Sequence, residues 1–422
     1  MKYFFILASV FLTGCCKQQC LQEYCFVESL PQCCYVEGEL TVEEAVQIAL
    51  VNNPTVQATL EEIGIAQADL LEAGLLSNPI FDIALRFTNK KGYRTNTELN
   101  VTQNFIDILL IPLKKRVASA ELERVQFQVA NILLQLSFEV EKKYTELAAA
   151  QKEKELLQDI VELAEIANQI SIAQGNTASI NSVDLQLRTA EYLKRTVELT
   201  NIEVKIIKLR EDLNRLLGLS GWSIPSGLPI LPDSEPNFDC FEQMALQERL
   251  DILEARWEVE RLRREFPTIE WWAFTDFSAG VSSAREPEKS SPWTTGPAFA
   301  GRLPIFNFGQ ADRKRLAAQY RQAEAKLAAL EIKVSADVRE AKDRLLVFRN
   351  QVLLYHDRIL PNLQKIVDAT ETQYNMMSTG IYDLLDTKRN QLTSLLHYEM
   401  ALEEYWKAKI DLEMAIGLRK DS

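Results

Sequence analysis

The side chains of this 422-residue chain that could do chemistry fall into a few small groups. Six of the seven cysteines, Cys15, Cys16, Cys20, Cys25, Cys33 and Cys34, crowd into the first 34 residues, and Cys240 stands alone downstream. Thiols so placed form disulfides in an oxidising compartment or bind a soft metal. The spacing lacks paired Cys-x-x-Cys units and a nearby His, which favours local or intermolecular bridges over zinc. Asp383 and Asp386 make an i, i+3 carboxylate pair that could move protons, but such pairs are commonplace on helices. Met376 and Met377 offer thioethers to copper or silver. Adjacent helical residues point in different directions, however, and methionines more often pack. His356 and His397 are the only histidines, and no Gly-x-Ser-x-Gly, Walker or dinucleotide pattern occurs. We therefore expect no enzyme, no bound metal and no dissociable cofactor.

The remaining sequence must say where such groups are held. Lys2 followed by the apolar run Tyr3 to Leu12 reads as a signal peptide over residues 1–14, too short to cross a bilayer as a helix. Export is the first inference. A formal charge of −13 leaves no basic surplus to neutralise phosphates, so nucleic acid is not a partner. The apolar run ends in Leu12-Thr13-Gly14-Cys15, which resembles the lipobox of bacterial lipoproteins. That resemblance implies cleavage before Cys15 and a diacylglycerol on its thiol. With Cys16 rather than Asp next in line, it also implies sorting to the outer membrane and a lipidated, Cys-rich segment over 15–39.

Only 15 glycines and 14 prolines punctuate the chain, which points to long helices with few turns. Those helices repeat. Leu213-Asn214-Arg215-Leu216-Leu217-Gly218-Leu219 closes one helical pattern and Leu412-Glu413-Met414-Ala415-Ile416-Gly417-Leu418 another. Ile111-Pro112-Leu113 and Leu303-Pro304-Ile305 each precede a long helical tract. The division is thus a first repeat over 40–220, a Pro-rich linker over 221–237 and a second repeat over 238–422. The first repeat opens on Thr41-Val42-Glu43-Glu44, a capping-box pattern, and Pro54 marks a restart. Lys114 to Ala173 contains no Gly or Pro, so a helix of about 60 residues would run on the order of 90 Å. It breaks at Gly175-Asn176-Thr177 and returns over Asp184 to Leu217. Gln310 to Met377 and Tyr382 to Ile416, separated at Gly380, repeat the plan, with Pro361 expected to kink the third long helix.

Between the short and long helices the apolar period changes to two. Phe81, Ile83, Leu85 and Phe87 alternate with Asp82 and Arg86, giving a strand over about 80–87. A second strand over about 97–105 completes a hairpin. In the second repeat, strands are expected over about 269–281, which holds Trp271, Trp272, Phe274 and Phe277, and 295–305, with a polar loop over Ser282 to Pro292. Two hairpins leave unpaired edges that lipid does not tolerate, so a membrane sheet built from them needs further copies of the chain. The fold class expected is mainly α with a small β part.

Taken in order, these pieces resemble the outer-membrane efflux protein family, the TolC-like ducts, and especially their lipoprotein branch serving resistance pumps. The resemblance covers about Leu40 to Leu418. It rests on Leu40-Thr41-Val42-Glu43-Glu44-Ala45 leading to Asn53-Pro54, on Leu303-Pro304-Ile305-Phe306-Asn307-Phe308-Gly309, and on Tyr382-Asp383-Leu384-Leu385-Asp386. It implies a homotrimer with four strands per protomer in one outer-membrane β-barrel and helical hairpins forming a periplasmic α-barrel. It also implies a periplasmic adaptor (membrane fusion) protein and an inner-membrane pump as partners. Acidic residues at the periplasmic tips narrow the entrance and bind cations in that family. By its pattern, Asp383 and Asp386 take that role here, with Asp184 the counterpart of Asp386 in the first repeat. The competing reading is a periplasmic adaptor or structural lipoprotein with coiled-coil hairpins and no barrel.

Lipid attachment gives the first test. Cys15→Ser is expected to abolish incorporation of labelled fatty acid, and labelling that persists in the variant removes the assignment.

Overall fold

A computed structural model describes residues 39–418, apart from 88, 90–94, 178–180, 220, 233–239, 272–276, 289–290 and 302–307. Cys15 and the other five N-terminal cysteines lie outside the described residues. The first helix, α1 (Val42–Asn52), begins on the capping box read from the sequence: Glu44 N–H donates to Thr41 Oγ1 at 3.3 Å, and Thr41 N–H to Glu44 Oε2 at 3.0 Å. Asn53 then starts α2 (Pro54–Glu72), its Oδ1 accepting from Thr55 N–H at 2.9 Å while Pro54 needs no donor at that position.

Strands β1 (Ile80–Arg86) and β2 (Asn96–Asn104) follow, and then α3 (Ile106–Asn176) and α4 (Ser182–Leu217) run as a long antiparallel pair. The second repeat has α5 (Phe241–Glu248), α6 (Leu250–Trp271), β3 (Ser278–Arg285), β4 (Thr294–Ala300), and α7 (Gln310–Leu354) passing through one π-turn, Tyr355–Ile359, into α8 (Leu360–Asn375). The last helix is α9 (Ile381–Ile416). With 71 residues, α3 is about 105 Å long. No helix among the described residues is apolar enough over 18 residues to cross a membrane.

Several boundaries differ from the sequence reading. Helix α3 starts eight residues before Lys114 and carries Pro112 inside it. A proline there forfeits one backbone hydrogen bond, and other contacts hold the first turns: Ile106 N–H donates to Asn104 Oδ1, and Asp107 takes Ser77 Oγ at 2.6 Å and Lys114 Nζ at 3.1 Å. The strand expected over 269–281 begins instead at Ser278, because α6 continues through Pro267 to Trp271. Trp272 and Phe274, which the expected strand included, lie outside the described residues. Strand β3 then runs through Ser282 to Arg285, where a polar loop was expected. Backbone pairing to Thr97–Asn104 places no demand for apolar side chains on it. The strand expected over 295–305 is β4, ending at Ala300. Pro361 acts as anticipated but one turn earlier. The ladder widens into the π-turn at Tyr355–Ile359, which makes room for a ring that would otherwise meet the carbonyl of Asp357.

The four strands form one antiparallel sheet in the order β1-β2-β3-β4. Its register puts Phe81 beside Val101, Val101 beside Val281 and Val281 beside Pro297, and Ile83 beside Leu99. One face therefore carries Phe81, Ile83, Leu85, Leu99, Val101, Val281 and Phe299. The other carries Asp82, Arg86, Glu98, Asn100, Thr102 and Ser282, with Arg86 paired to Glu98 at 3.1 Å. Gly280, opposite Thr102, lies so close to β2 that a Cβ there would sit 1.9 Å from the Val101 carbonyl oxygen.

Two main cores lie beside the long helices. Leu40, Ala45, Ala49, Leu147, Ile160, Leu213, Leu217, Trp222 and Ile224 pack α1 and the linker between α3 and α4. Phe241, Ile252, Val334, Leu345, Leu402, Tyr405 and Leu412 pack α5 between α7 and α9, while α6 lies along α3 and α7. Both return helices end on a left-handed glycine, Gly218 and Gly417. In each case a side chain from the opening helices caps the freed carbonyls: Asn53 Nδ2 donates to Leu216 O at 3.0 Å, and Arg249 Nη1 to Ala415 O at 3.0 Å.

Gly280→Val should force β2 and β3 apart, costing on the order of 1–3 kcal/mol as overpacking does. A fall in the heat resistance of the purified protein is the expected result. Unchanged heat resistance would mean that the strands do not approach this closely.

Candidate functional site

At one end of the helical layer the chain turns twice, near 177–181 and 376–380. At the first turn Asn181 Oδ1 accepts from Val183 N–H at 3.2 Å and opens α4, which puts Asp184 in its exposed first turn, where the helix dipole favours a carboxylate. At the second, Met376 and Met377 are exposed, and Met377 takes a left-handed φ of 59°. Gly380 begins α9, and its N–H donates to Asp383 Oδ2 at 3.2 Å, as does Thr379 Oγ1–H at 2.8 Å. The short spacing between Gly380 and Asp383 is therefore that of an N-cap and its N3 carboxylate.

Asp386, one turn further on, is held by α4. The Arg188 guanidinium grips it with two hydrogen bonds, Nη1 to Oδ1 at 2.9 Å and Nη2 to Oδ2 at 3.2 Å. Arg389 lies 3.3 Å from the same carboxylate and also donates to Glu191, which is 3.7 Å from Arg188. The four charges close a ring joining α4 to α9 across the Leu163, Ala164 and Ala167 face of α3, where the two alanines leave room for the side chains to meet. Arg188 also stacks over Tyr382, 5.0 Å from the ring centroid, and the Asp386 carboxylate holds its guanidinium above the ordinary arginine range. Tyr382 in turn donates its hydroxyl to Gln174 Oε1 at 2.9 Å and shares a 2.9 Å hydrogen bond with buried Ser171, tying α9 to α3.

Of the three expected acidic residues, the structure thus gives Asp383 a capping contact and Asp386 a cross-helix partner, with Asp184 one turn nearer the tip than the level of Asp386. The pairs Arg188–Asp386 and Glu191–Arg389 are each 198 positions apart, and by that offset Asp184 lies level with Tyr382. The partners Arg188, Glu191, Arg389 and Tyr382 were missed because the sequence reading sought repeated acids. The available signal was the mirrored charge order, Arg188-x-x-Glu191 on one helix and Asp386-x-x-Arg389 on the other.

A chain with two hairpins of very long helices at one end and, at the other, an open sheet apolar on one face has the architecture of an outer-membrane channel subunit. Residues 242–418, within the second repeat, match the family model described as outer membrane efflux protein. It is 19% identical to the cobalt-zinc-cadmium resistance protein CzcC of Cupriavidus metallidurans over 391 residues, 90% of each chain. Its fold is similar to that of crystalline CusC, with a TM-score of 0.71 at 16% identity over 92% of this chain and 97% of that one. The CmeC outer membrane channel of Campylobacter jejuni gives 0.72 at 14% identity over 89% and 85%.

Asp386→Asn removes the carboxylate that both arginines share. Amide hydrogen exchange over 381–390 should then quicken about threefold, the equivalent of roughly 0.7 kcal/mol for a partly exposed pair. The charge swap Arg188→Asp with Asp386→Arg should slow it again. Exchange unchanged in the single variant would show that the ring does not hold α9.

Proposed function

We propose that the chain is the passive exit duct of a tripartite efflux system, set in the outer membrane as a homotrimer and reaching into the periplasm. The carrying observation is the sheet. Phe81, Ile83, Leu85, Val101, Val281 and Phe299 are all exposed on a single face, while ionic and amide side chains line the other. That is the alternation of a barrel with lipid outside and water inside. A periplasmic adaptor without a barrel would have no use for it.

Three copies would supply twelve strands and a ring of helices about 100 Å deep. In this reading Cys15 carries the lipid anchor, and the tips meet the periplasmic adaptor protein, which links the duct to the inner-membrane pump. The entrance lies at the tips. Asp184, Glu191, Asp383 and Asp386 set four carboxylates there against Arg188, Lys388 and Arg389, leaving one net negative charge per copy. Around a narrow axis such charge draws cations and opposes closure, so that partner contacts can tip the balance toward opening. An entrance of that sign suits cations such as those in the relative's name, cobalt, zinc and cadmium.

Electron microscopy of the purified particle together with planar-bilayer conductance tests the reading. A long three-fold tube is expected, and its cation selectivity should fall when Asp184, Asp383 and Asp386 are changed together to Asn. The fall should be larger at low salt, since screening over a Debye length of about 10 Å at 0.1 M hides all but the nearest charges. A monomeric hairpin would end the duct reading, and a tube of unaltered selectivity would remove the three aspartates from the entrance.

A further inference from the structure

Runs of three consecutive basic residues occur at two places in the sequence, Lys114-Lys115-Arg116 and Arg313-Lys314-Arg315, although the chain as a whole carries a formal charge of −13. Each run lies near the start of the long helix of its repeat, α3 or α7, just beneath the sheet. One cation of each run is spent within the chain: Lys114 Nζ lies 3.1 Å from Asp107 Oδ1, and Arg315 Nη1 lies 3.0 Å from Asp312 Oδ1. The other four, Lys115, Arg116, Arg313 and Lys314, are exposed and have no ion-pair partner among the described residues. The helix dipole favours anions at this end of α3 and α7, so helix energetics do not explain cations there.

The residues between these cations and the sheet are apolar. At 100° per residue, Ile108, Leu109, Pro112, Lys115 and Arg116 fall within an arc of about 120° on α3, away from the face that carries Asp107, Lys114 and Glu121. Phe105, Ile108 and Leu109 are 51–65% exposed and follow directly on β2. Further along the same arc come Ser119, Glu123 and Gln126. From the sheet downward, the order on this face is therefore apolar, cationic, polar. The start of α7 repeats it in shorter form, with Phe308 exposed just before the helix and Arg313 and Lys314 in its second turn.

That order suits a helix that passes from hydrocarbon through a layer of phosphates into water. Helical Cα–Cβ bonds tilt toward the N-terminus, so the charged heads of Lys115 and Arg116 reach back toward the apolar turn. Helix α6 relates the two sites in height, with Arg264 donating to Arg116 O at 3.3 Å and the Phe266 ring 5.9 Å from that of Tyr320. By those contacts the two pairs of cations lie within about 10 Å of one level, a spread that long basic side chains cover.

We propose that Lys115, Arg116, Arg313 and Lys314 form a cationic collar that binds the phosphates of anionic phospholipids in the membrane leaflet facing the periplasm. The guanidiniums donate in pairs to phosphate oxygens and the ammoniums act as point charges, while the apolar turn above them enters the acyl chains. The collar rests on the reading that the sheet stands in the membrane, and it adds a ligand class to that reading.

Lipid retention tests it. The full-length protein in uncharged detergent is offered equal amounts of phosphatidylglycerol and phosphatidylcholine with identical acyl chains, and the lipid that stays with the captured protein is quantified by mass spectrometry. Phosphatidylglycerol should be retained in about fivefold excess at low salt. The excess should shrink after a wash in 1 M salt, where the Debye length is about 3 Å. Changing Lys115, Arg116, Arg313 and Lys314 together to Gln should bring the ratio close to one, and either adjacent pair alone should lower it part-way, so the result does not hang on the folding of the fourfold variant. Changing Lys194, Lys208, Arg358 and Lys365 to Gln removes as much exposed charge from the lower helices and should leave the ratio as it was. A preference that survives the first set, or falls equally with the second, overturns the collar. No preference in the parent protein does so too, and leaves the cations to an acidic protein surface. Displacement of the lipid by inorganic phosphate at matched ionic strength makes this a site for free anions and overturns the membrane as its source. Release of the parent protein from phosphatidylcholine vesicles by alkaline carbonate overturns instead the membrane placement of the sheet, which separates the two failures.

Discussion

A strand edge carries a row of N–H and C=O groups, and in hydrocarbon each one left without a partner costs several kcal/mol. The sheet described here has two such edges, the outer sides of β1 and β4. One face is mainly apolar, though it also carries Thr97, Ser283 and Arg285, and the other is mainly polar, so the sheet is suited to stand between lipid and water once its edges are closed. That single deficiency sets the demands on the rest of the molecule. Whatever closes the sheet must arrive with the same strand order, and the long helices below must present matching ends.

The helices can do so because they are locked to one another at two heights. About midway along α3, where Lys142 pairs with Asp411, α4 stops on Gly218 and α9 on Gly417, each in the left-handed conformation that glycine adopts without strain. Asn53 and Arg249 reach from the short opening helices to cap the last carbonyls. The long rods therefore leave their cores at defined angles. At the far end, the Arg188–Asp386–Arg389–Glu191 ring and the Tyr382 hydroxyl fix α9 against α4 and α3. Over the 36 residues of α4 and of α9, about 54 Å, small angular errors would accumulate into large displacements. Fixing both ends suppresses them.

The tip chemistry also shows how a charged pair of helix ends can be both polarised and ordered. A ring of unpaired carboxylates would repel itself and leave the helix ends loose. Here Asp386 is neutralised by two arginines and Asp383 is engaged as a helix cap. The excess negative charge is carried by a subset of the acids, and the partly shielded ion pairs resist screening better than isolated surface pairs do.

Long stretches without Gly or Pro could hardly be anything but long helices, and the Thr41–Glu44 capping box, the Asn53-Pro54 restart and the two Leu-Gly-Leu endings placed their ends. The alternation in Phe81 to Phe87 was likewise legible, because a strand with one apolar face has few other ways to be written. The aromatics before Ser278 misled for a related reason: alternating large residues suit a strand, but α6 runs on through Trp271 on contacts distant in sequence. The same holds for the tips. Local spacing identified Asp383 and Asp386 as acidic residues at a helix start, yet only the packing of α4 beside α9 gave Asp386 its arginines, partners 198 positions apart. What the sequence determined by itself is therefore whatever depends on residues within a few turns of each other: periodicity, caps and breaks. Which charges meet, which edges stay open and which apolar stripes are left uncovered were decided by the tertiary structure, because each depends on the height at which distant helices are pinned.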